Sequence, residues 1–343
     1  MKLTDFDYNL PKNLIAQFPL DKRDQSRLLV FDRTQKEIEH KKFCDLLDYL
    51  NRGDLLVLND TKVIFARLFG HKKSTGAKIE ALLLDKVDDR RFRALIKPLK
   101  RAKLNEDIIV NNNGLSFKLV DYNKRIIEFN KGAVLGRLNK IGHVPLPQYI
   151  KREDSALDRT RYQTIYAQKE GAIAAPTAGL HFTKPLLSKI KEKGIGIAFV
   201  TLHVGYGTFA PVKEEDILNH KMHEEYFEIP QQTINLIRKT KDNKGKIVAV
   251  GTTTCRALEA SGGKIIKRKV GGNSIKGYTD LFIYPTFKFK LIDALITNFH
   301  LPQSTLYVLV AAFAGLDNTK EVYTQAIHKE YRFYSYGDAM LIL

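Results

Sequence analysis

The sequence predicts an α/β protein, a large layered α/β domain with a small β-barrel domain inserted into it. Three observations lead to that class. Apolar strand-like runs that end in polar turns and continue as helices recur after residue 170. A stretch from about residue 64 to 150 instead strings short strand-like segments between turn clusters. The chain has 343 residues, 44% of them apolar, enough to bury a substantial core.

Taken in order, "GDLLVLNDTKV" gives an apolar strand at Leu55 to Leu58 that runs into Asn59, Asp60 and Thr61. The segments "KIEALLL", "RFRALIK", "DIIV", "SFKLV" and "RIIEF" follow, broken by "VDDR", "NNNG" and "DYNK". Short strands at that spacing, with no helical period between them, suggest a barrel or sandwich. "HVPLPQYI" closes the stretch with two prolines. The expected division is therefore an α/β domain of residues 1–63 and 151–343, interrupted by a basic barrel of residues 64–150.

Four later segments share one design. "AAPTAGLHFTKPLLSKIKEKG" passes a polar turn and starts a helix with Thr183 as cap and Gly194 beyond its end. "IGIAFVTLHVGYGTF" is a strand ending in His203 and a Gly-Tyr-Gly bend. "KIVAVGTTTCRALEASGG" is a strand, three threonines and a helix expected to stop at Gly262. "LITNFHLPQSTLYVLVAAFAG" leaves a strand through Asn298, His300, Ser304 and Thr305 into a nearly all-apolar helix. In open α/β sheets ligands sit beyond the carboxyl ends of the strands, where helix N-termini favour anions. The four polar turns are thus expected to line one cleft.

The formal net charge is +18. Residues 64–150 hold 18 Lys and Arg against 8 Asp and Glu, a net +10. That distribution argues for a polyanionic partner, nucleic acid above all. Two cysteines give neither a disulfide framework nor zinc spacing. His220, His223 and Glu224 in "HKMHEEYFEI" form no zincin pattern, so no metal is expected. A phosphate-binding P-loop is excluded, and no apolar run reaches the ~20 residues of a membrane span. No signal peptide opens the sequence, so a soluble, cytoplasmic protein is expected; a monomer is expected as well.

The segments "RYQTIYA", "AAPTAGLHFT", "LHVGYGTFAPV", "VAVGTTTCRALE", "LITNFHLPQSTL" and "YRFYSYGDAMLI" closely resemble the S-adenosylmethionine:tRNA ribosyltransferase-isomerase family of queuosine biosynthesis. "GDLLVLNDTKVIFARLFG" extends the resemblance to nearly the whole chain. One departure stands in "YPTFKFK", where a glycine is expected at Thr286. The resemblance implies an α/β domain with an inserted barrel. It also implies transfer of the ribosyl part of S-adenosylmethionine to 7-aminomethyl-7-deazaguanine at the tRNA wobble position. Epoxyqueuosine forms, adenine and methionine leave, and S-adenosylmethionine is consumed as a substrate, with no cofactor. An RNA methyltransferase and a non-catalytic RNA-binding protein are the competing classes.

That chemistry needs a modest base for an acidic C5′ hydrogen, a role expected of His203 or His300. His181 and Asp338 complete the catalytic candidates, with Asp60 placed to orient an amine or a histidine. Thr252, Thr253 and Thr254 are expected to hold ribose or carboxylate oxygens, and Arg256 the methionine carboxylate. Thr177, Asn298, Ser304 and Thr305 join the substrate-binding candidates, and Glu224 and Glu225 are expected to face the sulfonium. Lys97, Lys100, Arg101 and Lys103 in "KPLKRAK" are expected to meet tRNA phosphates. Arg332 and Tyr334, set among aromatics at the C-terminus, are expected to stack a base.

Overall fold

The structure, a computed structural model, describes residues 1–110, 114–205, 212, 214–267 and 274–343. The chain opens with short 3-10 turns, then forms β1 (Arg27–Asp32), β2 (Glu37–Lys42), β3 (Leu55–Asn59) and β4 (Thr61–Val63). Six strands follow: β5 (Arg67–Lys72), β6 (Lys78–Lys86), β7 (Arg91–Lys97), β8 (Ile108–Val110), β9 (Leu115–Asp121) and β10 (Ile126–Phe129). After α1 (Val134–Ile141), α2 (Ala156–Arg161) and β11 (Lys169–Ala172) the alternating part begins. It comprises α3 (Lys184–Glu192), β12 (Gly196–Leu202), β13 (Glu225–Pro230), α4 (Gln231–Asp242), β14 (Ile247–Val250) and α5 (Thr252–Ile266). It ends with β15 (Ser274–Thr279), β16 (Ala294–Asn298), α6 (Thr305–Ala314), α7 (Leu316–His328) and β17 (Ala339–Ile342).

The fold is mixed α/β. Among the described residues one sheet orders its strands β15-β13-β12-β3-β14-β16-β17-β1-β2. Its centre, β12-β3-β14-β16, is parallel, so those four carboxyl ends share one edge. β3 is buried at every position, as a strand covered on both faces must be. Leu55 and Val57 join a cluster with Ile234 and Ile237 of α4 and Leu258 of α5. Leu56 and Leu58 face the other way, into a cluster with Leu186 and Ile190 of α3. Strand alternation therefore builds two apolar layers from one five-residue run.

The strands β5 to β10 hydrogen-bond in the closed order β10-β7-β6-β5-β8-β9. Leu68, Ala81, Ala94, Phe117 and Ile127 fill its centre as a separate apolar cluster. The segments read from sequence in this region form β6 to β10. Neither β5 nor α1 was expected. Gly70 and His71 blur the alternation of β5, and Gly70 is needed because a Cβ there would lie 2.7 Å from Ile109 O.

Two helix boundaries test the capping argument. Thr183 Oγ1 accepts from Leu186 N at 3.3 Å, and Gly194 stands beyond α3 with φ +80°. α5, by contrast, runs through Gly262 to Ile266. Gly262 is buried, and a Cβ there would lie 3.2 Å from Lys290 Cβ. It serves close packing, not termination.

Candidate active site

A cavity of about 810 Å³ lies beyond the carboxyl ends of β14 and β16 and reaches the closed ring of strands. Of the four expected turns, three reach it through Thr177, through Gly251, Thr252 and Thr253, and through Asn298, His300 and Ser304. The fourth segment, after β12, contributes Val204 and Val212 and not His203. The rest of "HVGYGTF" after Gly205 lies outside the described residues.

Asn59 ties the strand ends together. Its Nδ2 donates to Leu202 O at 3.0 Å and to Thr253 Oγ1 at 3.1 Å, and its Oδ1 accepts from Leu202 N at 3.1 Å. One side chain at the end of β3 so fixes β12 and the first turn of α5. No side chain caps α5, whose N-terminal residues Thr252 and Thr253 line the cavity. The first N–H groups of a helix lack intrahelical acceptors, so this 15-residue helix offers the cavity donors and a partial positive charge. Thr254 turns inward and donates to Val250 O at 2.7 Å, so its hydroxyl is spent on the helix.

His300 is 7% exposed and lines the cavity beside Thr297, with Nε2 and Thr297 Oγ1 2.8 Å apart. Its backbone is held on both sides, since Tyr8 Oη donates to its carbonyl and its N–H donates to Tyr323 Oη at 3.1 Å. Burial pushes its pKa down to about 3, so the imidazole is neutral near pH 7. Tyr334 also lines the cavity, its ring stacked on Tyr149 with centroids 4.4 Å apart. Its φ of +71°, rare for a non-glycine residue, turns its carbonyl toward Asn298 Nδ2 at 3.1 Å. Ser304 caps α6 by accepting from Tyr307 N at 3.2 Å, and Thr305 is buried behind it.

Other candidates lie elsewhere. His203 pairs with Thr61 Oγ1 at 2.8 Å and stacks on Tyr226. Burial lowers its pKa, Lys169 adds to that, and Glu228 opposes it. Asp60 accepts from Thr201 Oγ1 at 2.6 Å in the same region, where burial raises its pKa. His181 is stacked on Phe43 and lies behind the wall, with Nδ1 2.7 Å from Ser26 Oγ and Nε2 3.2 Å from Asn298 Nδ2. Burial takes its pKa down to about 3. It contacts Asn298 and does not line this cavity.

Several further candidates lie away from this cavity. Asp338 spends both oxygens on backbone, accepting from Arg27 N at 2.9 Å and Arg332 N at 2.8 Å, so it clamps the C-terminal strand. Arg256 is 2% exposed, donates to Glu225 and to Leu281 O, and does not line the cavity. Glu225, its partner, also accepts from Gly205 N at 2.9 Å. Glu224 is exposed ahead of β13 and does not line this cavity. Arg332 donates to Phe18 O and does not line the cavity. Of "KPLKRAK", Lys97 alone lines the cavity. No three His, Cys, Asp or Glu residues cluster as metal ligands among the described residues. No helix there is long and apolar enough to cross a membrane.

The sequence reading passed over Tyr149, Thr297 and the Arg67–Glu80 pair, all part of the cavity wall. Thr297 was findable, because it precedes Asn298 on the same strand end. Tyr149 was hidden in a connection whose partner across the wall is 185 residues away.

Comparison with known proteins decides the family. The sequence model of the queuosine biosynthesis protein family matches residues 3–342. The chain belongs to the queuosine biosynthesis protein family. Family relatives named S-adenosylmethionine:tRNA ribosyltransferase-isomerase include one from Sulfurihydrogenibium at 55% identity and one from Clostridioides difficile at 50%. Both alignments cover 100% of this chain and of the relative. The crystal structure of S-adenosylmethionine tRNA ribosyltransferase from Thermotoga maritima is 38% identical, with a TM-score of 0.57 over 99% of this chain and 100% of that one.

Proposed function

We propose that this chain is an S-adenosylmethionine:tRNA ribosyltransferase-isomerase of queuosine biosynthesis. It transfers and isomerises the ribosyl part of S-adenosylmethionine onto 7-aminomethyl-7-deazaguanine at the tRNA wobble position, giving epoxyqueuosine, adenine and methionine. The observation that carries the reading is one cavity shared by a helix N-terminus, a neutral histidine and a stacked tyrosine pair. The uncapped start of α5 at Thr252 and Thr253 suits the methionine carboxylate and ribose oxygens. His300 is the base. Removing a proton beside a sulfonium moves positive charge from substrate to imidazole and creates none, which lowers the cost of that step in a buried site. Thr297 orients the ring from Nε2. Tyr334 and Tyr149 offer aromatic surface to a base taken out of its stack.

Residues 64–150 are read as an inserted barrel domain that attracts tRNA. Its closed strand order, its own apolar cluster and its net +10 support this. The protein is read as a cytoplasmic monomer without a cofactor. Product analysis tests the function: free adenine from S-adenosylmethionine, dependent on the modified tRNA, is expected. S-adenosylhomocysteine would indicate methylation, and tRNA binding with neither product would indicate a binding protein.

A further inference from the structure

The charges on the cavity wall are unevenly matched. Its charged residues are Lys12, Arg67, Glu80, Lys97 and Lys151. Arg67 Nε and Glu80 Oε1 lie 3.3 Å apart and neutralise each other. Lys12, Lys97 and Lys151 are exposed, and none has an ion pair among the described residues. They come from three separate places: an N-terminal turn, the last residue of β7 in the closed ring, and the connection just after Tyr149. The rim of the cavity therefore carries three lysines without an ion pair among the described residues, contributed by distant parts of the chain.

S-adenosylmethionine does not account for them. It carries a sulfonium and an ammonium against a single carboxylate, so a cationic rim opposes its approach. A polynucleotide does account for them. A base that reacts inside a cavity must leave its stack, and its own and its neighbours' phosphates then stay at the opening. Lysine suits that contact, as a mobile point charge for phosphate oxygens and without sequence preference. We propose that Lys12, Lys97 and Lys151 form a three-point grip on the single-stranded RNA backbone around the nucleotide that enters the cavity. This rests on the tRNA reading above and names where the backbone is held. Lys100, Arg101 and Lys103 line no part of the cavity and attract RNA from further out.

The test is the salt dependence of tRNA binding, measured by filter retention, for the parent and for the triple variant Lys12→Gln, Lys97→Gln, Lys151→Gln. All three positions are exposed, so the variant is expected to fold, and its melting curve checks this. Each lost phosphate contact on a single strand removes about 0.7 from the slope of log K against log salt, so a flattening of about 2 is expected. At low salt the affinity for tRNA should fall about tenfold or more. The KM for S-adenosylmethionine should hold or fall, because a repulsion has been removed; damage to the cavity would raise it. A second variant, Lys100→Gln, Arg101→Gln, Lys103→Gln, should flatten the slope less. An unchanged slope in the first variant, a parallel rise in both constants, or a larger effect from the second variant overturns the grip. Because binding is read without turnover, its failure is separable from a failure to release adenine.

Discussion

Thr286 occupies the third position of a turn closed by Phe287 N donating to Tyr284 O at 3.0 Å, with Pro285 at the second. Its φ is +86°. A type II turn demands that angle there, and a β-branched residue adopts it under strain, so the sequence expectation of glycine had a physical basis. Thr286→Gly is expected to stabilise the protein by about 1 kcal/mol, the strain relieved exceeding the entropy added to the unfolded chain. Urea unfolding checks it, and a lower midpoint would count against the strained turn. At the same scale the two histidines proposed from sequence as bases now separate. His300→Ala is expected to lower the rate of adenine release by about 10²–10⁴ while tRNA binding persists. His203→Ala should cost clearly less, since that ring lines no part of the cavity. Equal losses in single-turnover assays would return His203 to the chemistry.

At the scale of elements, the start of α5 is placed by a residue on another strand. Asn59 Nδ2 has two acceptors, Leu202 O and Thr253 Oγ1. Thr253→Val keeps the shape and removes the second. The helix start then loses its tie to β3, and the KM for S-adenosylmethionine is expected to rise about tenfold, the worth of one hydrogen bond. Affinity for tRNA should change far less, because the RNA contacts proposed here lie on other segments. A matching loss in both would mean that the substitution disturbs the whole cavity. The three threonines look equivalent in sequence and are not. Helical geometry turns Thr254 back to Val250 O, and Thr252 and Thr253 face the cavity.

The whole molecule buries two histidines, His181 and His300, each with a pKa near 3 because burial disfavours the imidazolium. In the unfolded chain both titrate near the ordinary value of about 6.5. The unfolded state therefore takes up protons first, and the stability present above about 6.5 is lost as pH falls toward 3. Between pH 7 and pH 5 the loss should approach about 2 kcal/mol per histidine. Melting curves across that range check it, with His181→Asn expected to flatten the dependence by up to half. A stability independent of pH from 7 to 5 would mean that these rings accept protons in the folded state.

The sequence by itself determined the family, the α/β class, the buried central strands and the turns that gather at their ends. These are local or pairwise in character: an apolar run has a period, a cap has a neighbour three residues on, and a motif is contiguous. Only the tertiary structure decided which polar side chain faces the cavity. Asp338 sits in a turn as polar as that of His300, and Arg256 lies three residues after Thr253 in α5, yet backbone amides take the first and a buried glutamate takes the second. Charge behaved in the same way. "KPLKRAK" stands out as a basic cluster within residues 64–150, but the rim is completed by Lys12 and Lys151, both far from it in sequence. Burial and electrostatic pairing depend on what the rest of the chain brings within a few ångströms, and no window of sequence contains that.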